Sequence, residues 1–464
     1  MHRLPSVVNS DMLQDLQNLG LDVSNASDVI AEHAIDRWYA SNAPDVVVFA
    51  HSTEDVAKTL KYAHENNIPV TTRGAGVGYV GGAVPMRGGI ALSVFQMNEI
   101  VEVSVEDGVV VTQPGVITGD LQDAVRELGW YYPPDPASLR ECSIGGNIAT
   151  NAGGPRCLKY GVTKHYVLGL TVVLADGTIL KTGGRLHKNK QGFDLTSLFI
   201  GSEGMLGVIT EATLRLIPHP AHRSMLTATF SEFPTAALAV QTILNSGHHP
   251  SALEITDTFT LNAARDYLGQ DAFPPGDAHL IIELDGRQAA VEAELPEVAA
   301  LLEDLGALSI ETHVDDTACE AVWKLRRDFS YSLRATGLTK LNEDIVVPRG
   351  KLVALVEFAQ QLSADTGIPI SCFGHAGDGN IHTNLMVADY NEPEIKEKAD
   401  AALDKLFRWI LDNNGAITGE HGVGLAKKKW FRGAVGEASY ATHQALKAAL
   451  DTKNLLNPDK FIEM

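Results

Sequence analysis

Four cysteines in 464 residues, Cys142, Cys157, Cys319 and Cys372, are too few and too scattered for a cysteine-held cofactor. No pair has Cys-x-x-Cys spacing, so neither a zinc ribbon nor an iron–sulfur cluster is encoded, and buried reduced thiols of a cytoplasmic protein are the expectation. Basic charge is also short: 37 Lys and Arg stand against 58 Asp and Glu, a net charge of −21. That argues against a nucleic-acid or anionic-membrane surface, although a local basic pocket can coexist with an acidic exterior. No stretch approaches the ~18 continuous apolar residues of a membrane span. Met1-His-Arg-Leu-Pro-Ser6 lacks the apolar centre of a secretion signal. Long repeats and low-complexity tracts are missing too. What remains is 45% hydrophobic and 20% charged, an ordinary globular composition whose length allows two or three domains.

The most organised stretch is Arg73-Gly-Ala-Gly-Val-Gly-Tyr-Val-Gly-Gly-Ala83, which follows the apolar run Ile68–Thr72. Glycine lets a ligand approach backbone N–H groups closely, and successive bare amides form a concave anion site. The direct reading is a phosphate cradle, here for a dinucleotide pyrophosphate; the alternative is a tight structural turn. A P-loop would end Gly-Lys-Ser/Thr, and this loop ends Gly81-Gly82-Ala83. Rossmann spacing is absent, and Val80, Gly81, Gly82 and Pro85 would open a helix poorly. A second small-residue tract, Ser143–Gly154, interleaves Asn, Ser and Thr with glycine, and a third runs from Phe193 to Thr210.

Taken in order, residues 1–40 read as an N-terminal arm of short helices, with helical spacing in Asp11–Leu19 and Ala26–Asp36. Val46–Ala50, an amphipathic helix Thr53–Asn66 behind a Ser52-x-x-Asp55 capping box, and Ile68–Thr72 form a β-α-β unit feeding the glycine loop. Strands follow at Gly89–Val94, Ile100–Val105 and Val109–Thr112, then a helix Thr118–Leu128 with Thr118 as its cap. Ala175-Asp-Gly177 joins a strand pair. Pro218 and Pro220 mark a boundary. Beyond it, strands alternating with helices, among them Asp316–Leu333, read as an antiparallel sheet covered by helices. The expected division is an arm (1–40), a first domain (41–220), a cap (221–415) and a returning C-terminal segment (416–464). The fold class is α+β.

Ionisable residues gather late in the chain. His375 and His382 flank Asp378-Gly-Asn380, and Glu420-His421 follows about forty residues on. The His-x6-His spacing suits a loop between strands that brings two imidazoles together. Two His and one carboxylate are a common divalent-metal set; by residue type alone, scattered structural histidines compete evenly with that reading. Asp378 either supports a ligand histidine or shapes the Gly377–Gly379 turn, the turn being favoured.

Arg73–Ala83, Pro133–Gly154 and Gly192–Leu216 together resemble the flavin-binding domain of the vanillyl-alcohol oxidase/p-cresol methylhydroxylase superfamily. Phe373-Gly-His-Ala-Gly-Asp-Gly-Asn-Ile-His-Thr-Asn384 and Gly419-Glu-His-Gly422 resemble the branch containing the FAD-linked subunit of glycolate oxidase, D-lactate dehydrogenases and D-2-hydroxyglutarate dehydrogenases. The resemblance implies a PCMH-type FAD domain of two subdomains and an α+β cap. FAD would be held by Arg73, Gly74, Ala75, Gly76, Val77, Gly78, Gly81 and Gly82 at the pyrophosphate. Pro133, Asp135, Pro136, Ser143, Gly145, Gly146, Asn147, Thr150, Asn151, Gly154, Glu203, Gly204, Val208 and Ile209 would line the rest. Many relatives tether the flavin through a histidine in this loop; none is present, so noncovalent FAD is expected.

The same resemblance implies a divalent ion (Zn, Mn or Fe) on His375, His382 and Glu420, chelating a 2-hydroxy acid. His421 would then be the general base as a hydride passes to the flavin. Arg326 and Lys340 would clamp the carboxylate, with Ser330 and Asn384 as further substrate contacts. D-lactate or glycolate is the expected substrate. Lys340-Leu-Asn342 departs from the Lys-x-Asp pattern of hydroxyglutarate enzymes, which remain an alternative. So does a non-redox flavin transferase of the alkyl-dihydroxyacetonephosphate synthase type. Electrons would leave to oxygen, a quinone, a cytochrome or an iron–sulfur partner chain. Peripheral membrane association through that partner and a homodimer are compatible with this reading; nucleic acid is not an expected partner.

Overall fold

The computed structural model describes residues 10–464; the first part of the expected N-terminal arm, 1–9, lies outside them. The described chain divides into two compact units. One comprises the residues up to Ala152 together with 162–219 and 420–464; the other comprises 153–161 and 220–419. The chain therefore passes between units at Gly419/Glu420, against the expected 415, and Gly154 falls in the second unit.

The first unit holds a four-stranded and a five-stranded sheet. In the former, Ile90–Ser93 lies between Val46–Phe49 and Val70–Arg73, parallel to both. The expected β-α-β unit is thus split by a third strand. Asp22–Ser24 adds to the edge, antiparallel to Val46–Phe49, so the N-terminal arm is not purely helical. The helix Thr53–Asn66 packs Val56, Leu60 and Ala63 into a core with Val46, Val48, Val70, Ile90 and Leu92. Ser52 Oγ accepts from the Asp55 N–H at 3.1 Å; the reciprocal arm reaches His51 rather than Ser52. The antiparallel five-stranded sheet runs Ile100–Ser104, Val109–Thr112, Val208–Arg215, Val167–Val173, Ile179–Gly183.

One local expectation changes. Thr118 lies inside its helix, which Ile117 precedes, and its hydroxyl bonds the Cys142 carbonyl. The Ser143–Gly154 tract is partly helical, Ile144–Thr150, ended by Asn151 at φ 53°.

The second unit is one seven-stranded antiparallel sheet. Its order is Ser309–His313, His222–Phe230, Ala278–Gly286, Ala252–Thr256, Ile370–His375, Asn380–Val387, Thr339–Val346. Helices Phe233–Asn245, Leu352–Thr366 and Pro393–Asp412 cover the face bearing Leu253, Ile255, Ile381 and Leu385. The predicted helix 316–333 breaks at Asp328 into Asp316–Arg327 and Phe329–Ala335. Among the described residues no helix is long and apolar enough to cross a membrane. Cys142, Cys319 and Cys372 are buried free thiols and Cys157 is half-buried.

Candidate functional site

Alternation along four neighbouring strands of the second unit sorts side chains by face. Register pairs Phe373 with His382, His375 with Asn380 and Ser371 with Asn384. It also pairs Asp344 with His382 and Asn342 with Asn384. The Ile255–Gly374 pairing sets Glu254 opposite His375. One sheet face therefore carries Glu254, Ser371, His375, Asn380, His382, Asn384, Lys340, Asn342 and Asp344. His375 ends one strand of a hairpin and His382 lies two residues into the next, so the six-residue spacing is a hairpin spacing. Their ring centroids are 5.6 Å apart. Asp378 sits in the connecting turn, its N–H donating to the His375 carbonyl.

A carboxylate that sequence reasoning did not single out joins two of the predicted residues. Glu254 Oε1 is 2.5 Å from His375 Nδ1, and Arg326 Nε donates to Glu254 Oε2 at 2.7 Å. Glu254 is fully buried. Burial alone would raise its pKa; the positive charges of His375 and Arg326 outweigh that and hold it at about 2. The Arg326 guanidinium lies over Phe373 at 4.7 Å and Phe329 at 5.6 Å. Those rings belong to an apolar cluster with Leu261, Phe273, Leu333 and Met386. The sequence signal was a lone glutamate in Ala252-Leu-Glu-Ile-Thr256, a strand buried on both faces, where an anion demands a cation.

Lys340 donates to Ser330 Oγ at 2.8 Å. Burial first, then the charges of Arg334 and Arg326, lower its pKa to about 8. Asn384 is fully buried. Its amide donates to Ser371 Oγ at 3.0 Å and to the His382 carbonyl at 3.1 Å. Its own carbonyl oxygen and that of the facing Asn342 have no hydrogen-bond partner. Two unsatisfied buried acceptors side by side suit a ligand bearing donors.

Asp344, also unforeseen, anchors the end of the second unit. Its Oδ1 accepts from Asn380 Nδ2 at 2.7 Å, and its Oδ2 accepts from Thr418 Oγ1 and the Gly419 N–H, both at 2.9 Å. Ala416 bridges Val346. A Cβ at Gly419 would lie 2.3 Å from Asn380 Nδ2, so this approach needs glycine. The next residues are Glu420 and His421, both half-buried.

In the first unit the glycine loop leaves the Val70–Arg73 strand. Its carbonyls are engaged: Gly78 O by the Arg37 N–H, Val80 O by those of Leu425 and Ala426, Gly81 O by Lys460 Nζ at 2.9 Å. In a trans peptide N–H and C=O point oppositely, and no cis bond occurs among the described residues. The amides of Tyr79, Gly81 and Gly82 are accordingly turned away from those partners. Ser143 Oγ is buried without a partner, and a Cβ at Gly74 would fall 2.6 Å from it. A bare backbone beside an orphaned hydroxyl fits a phosphate-bearing cofactor.

The other predicted cofactor residues divide. Pro133, Asp135 and Pro136 lie in a buried segment held by Gln122, which donates to the Tyr132 and Pro134 carbonyls. Gly145 packs against Pro114. Asn147 bonds Thr118, Thr150 bonds the Gly146 carbonyl and Asn151 accepts from the Lys164 N–H. Val208 and Ile209 begin a strand paired with Val173 and Val172. The Arg73 guanidinium bonds the Ile35 carbonyl at 2.5 Å beneath Gly76. Glu203, next to Gly204, spends its carboxylate on the N–H groups of Val423 and Gly424 at 2.7 and 2.8 Å. Those contacts, with Asn457 donating to the Glu203 carbonyl, make it a brace for the segment after His421. The His421 ring lies 5.4 Å from that of Tyr79.

Comparison with known proteins accords with these features. Residues 44–183 match the FAD binding domain family and 219–461 the C-terminal domain of FAD linked oxidases. Glycolate oxidase subunit GlcD of Bacillus subtilis is 37% identical over 454 residues, 98% of this chain and 96% of the relative. D-lactate dehydrogenase of Anaerostipes hadrus is 34% identical over 430 residues, 91% and 90% of the two chains. Among solved structures, p-cresol methylhydroxylase aligns with a TM-score of 0.81 at 20% identity, covering 98% of this chain and 96% of that one. Alkyldihydroxyacetonephosphate synthase aligns at 0.77 with 21% identity, covering 99% and 86%; at such identities these likenesses speak for the fold. With both family matches and full-length relatives above 30% identity, the chain belongs to the FAD-linked oxidases.

Proposed function

We propose that this protein oxidises a 2-hydroxy acid of the D-lactate or glycolate class to the 2-oxo acid. The observation that carries the reading is the buried set at one sheet face, where His375 on the sheet and Arg326 on a helix share Glu254, with His382 and Asn384 beside them. The names of the two relatives point the same way. A flavin held at Gly74–Gly82 and Ser143 supplies the two-electron acceptor that turning a hydroxyl into a carbonyl requires. A divalent ion on His375 and His382, with Glu420 as its third ligand, would supply a Lewis acid that lowers the hydroxyl pKa.

The chain's own residues do the rest. Arg326 pairs with the substrate carboxylate through its terminal nitrogens, since Nε is occupied by Glu254. Asn384 offers its unsatisfied carbonyl oxygen to the substrate. His421, directly after Glu420, takes the hydroxyl proton. A specific feature favours a second reading: Lys340 on Ser330, close to Arg326 and Arg334 in charge, is a second cation suited to the distal carboxylate of D-2-hydroxyglutarate. The GlcD relative is named as one subunit of its oxidase, so a separate electron-accepting chain is part of the proposal.

The test is anaerobic addition of D-lactate, glycolate, D-2-hydroxyglutarate and the L-forms while following the flavin band. Bleaching by a short D-acid or glycolate is expected. Faster bleaching by D-2-hydroxyglutarate selects the second reading; none by any hydroxy acid rejects both.

A further inference from the structure

Glu254 has no assigned task, yet it sits at the centre of the site. Taking a carboxylate fully out of water is strongly unfavourable unless donors and cations surround it. A second buried carboxylate on the same sheet, Glu283, shows what a framework role looks like. It accepts from Arg156 Nε and Nη2 at 2.6 and 2.8 Å, Trp323 Nε1 at 2.7 Å and Ser251 Oγ at 2.9 Å.

Glu254 is engaged differently. Its two oxygens go to two residues from separate parts of the chain, Oε1 to His375 Nδ1 and Oε2 to Arg326 Nε. With Nδ1–H donating to the carboxylate, an ion held by His375 is held through Nε2. With Nε–H donating, and Phe373 and Phe329 against the guanidinium, Arg326 keeps its two terminal nitrogens for another anion. One side chain thereby sets the tautomer of one residue and the direction of the other.

We propose that Glu254 is a positioning residue that fixes the metal-holding histidine and the carboxylate-holding arginine together, so that affinity for the ion and affinity for the acid depend on the same buried group. This rests on the reading of His375 and Arg326 given under Proposed function. It adds a coupling which that reading does not require.

Glu254→Gln tests it, because the carboxamide keeps the shape but offers one acceptor oxygen to two N–H donors. The probes are Mn²⁺, added to chelator-stripped, flavin-loaded enzyme and followed by calorimetry, and oxalate, followed by its perturbation of the flavin absorbance. E254Q should weaken Mn²⁺ binding about 10–100-fold and weaken oxalate as well, with flavin content unchanged. Arg326→Met should weaken oxalate while leaving Mn²⁺ affinity near that of the unaltered enzyme. Unchanged Mn²⁺ affinity in E254Q overturns the proposal even if the unaltered enzyme binds both probes. An unaltered enzyme that binds no Mn²⁺ defeats the metal reading and the proposal with it. If E254Q does not fold, the ring ¹⁵N spectrum of the unaltered, metal-free enzyme, taken at a pH where the His375 ring is neutral, decides: a proton on Nδ1 supports the proposal, and a proton on Nε2 refutes it.

Discussion

Both units bury charge, but they spend it differently. In the first unit Lys447 is fully buried and donates to the Met205 and Leu456 carbonyls and to Asp451. Lys460 donates to Gly81 and Val84, and Glu203 accepts from Val423 and Gly424. These buried charges hold backbone: Lys447 the chain at Met205 and Leu456, Lys460 the glycine loop, and Glu203 the segment after His421. In the second unit Glu254, Arg326 and His375 hold one another by side chains, with Asn384 and Asn342 acceptors unsatisfied nearby. Charges on backbone shape a loop for a cofactor. Charges on side chains whose other atoms face a ligand set up chemistry.

The sharpest break in that comparison comes from His421→Ala. It should retain FAD while slowing flavin reduction by a hydroxy acid about 10²–10⁴-fold, as loss of a general base does; rapid reduction in single-turnover stopped flow would show that another group takes the proton. Lys460→Met should act on the other side, lowering stability by about 1.5–3 kcal/mol, as losing buried hydrogen bonds from a charged donor does. Denaturant unfolding with and without excess FAD measures it, and added FAD should recover part of the loss. Flavin affinity should fall while the holo-variant's substrate preference stays the same.

A smaller effect is expected at Lys340, whose pKa is lowered to about 8 by burial and by Arg334 and Arg326. If the cation helps to hold a carboxylate, affinity for the acid should decline as pH rises through about 8, and Lys340→Met should flatten that decline. The stability sign runs the other way. Between about 8 and the unfolded value of 10.5, the unfolded chain binds more protons, so this group makes stability rise with pH there. Thermal unfolding of the variant and the parent across pH 7–10 separates the two signs. Smallest of all is Ser143→Ala: with no intrachain bond to lose, it should leave apo stability within about 0.5 kcal/mol yet weaken FAD binding several-fold.

Legibility follows chemistry that is local in sequence. The glycine loop, the His375–His382 hairpin and the Glu420–His421 pair stand within short windows, so local pattern offers them as candidates and the family resemblance assigns their roles. Arg326 was visible only through the resemblance of its helix to that of the family. Glu254 was not, because its partners lie 72 and 121 residues away and its strand reads as plain core. Asp344 escaped for the same reason, with contacts 36 and 75 residues distant. The split of the expected β-α-β unit by Ile90–Ser93 was likewise a matter of pairing order, which no local pattern encodes. The Asp22–Ser24 strand is too short for alternation to reveal it.

The most direct measurement compares the enzyme with a His375→Ala/His382→Ala variant, assaying bound flavin, bound metal and anaerobic bleaching by the best hydroxy acid on the same samples. Full flavin in both, metal only in the parent, and bleaching lost with the metal are expected. A variant that holds flavin, lacks metal and still bleaches at the parental rate would contradict the role given to the metal.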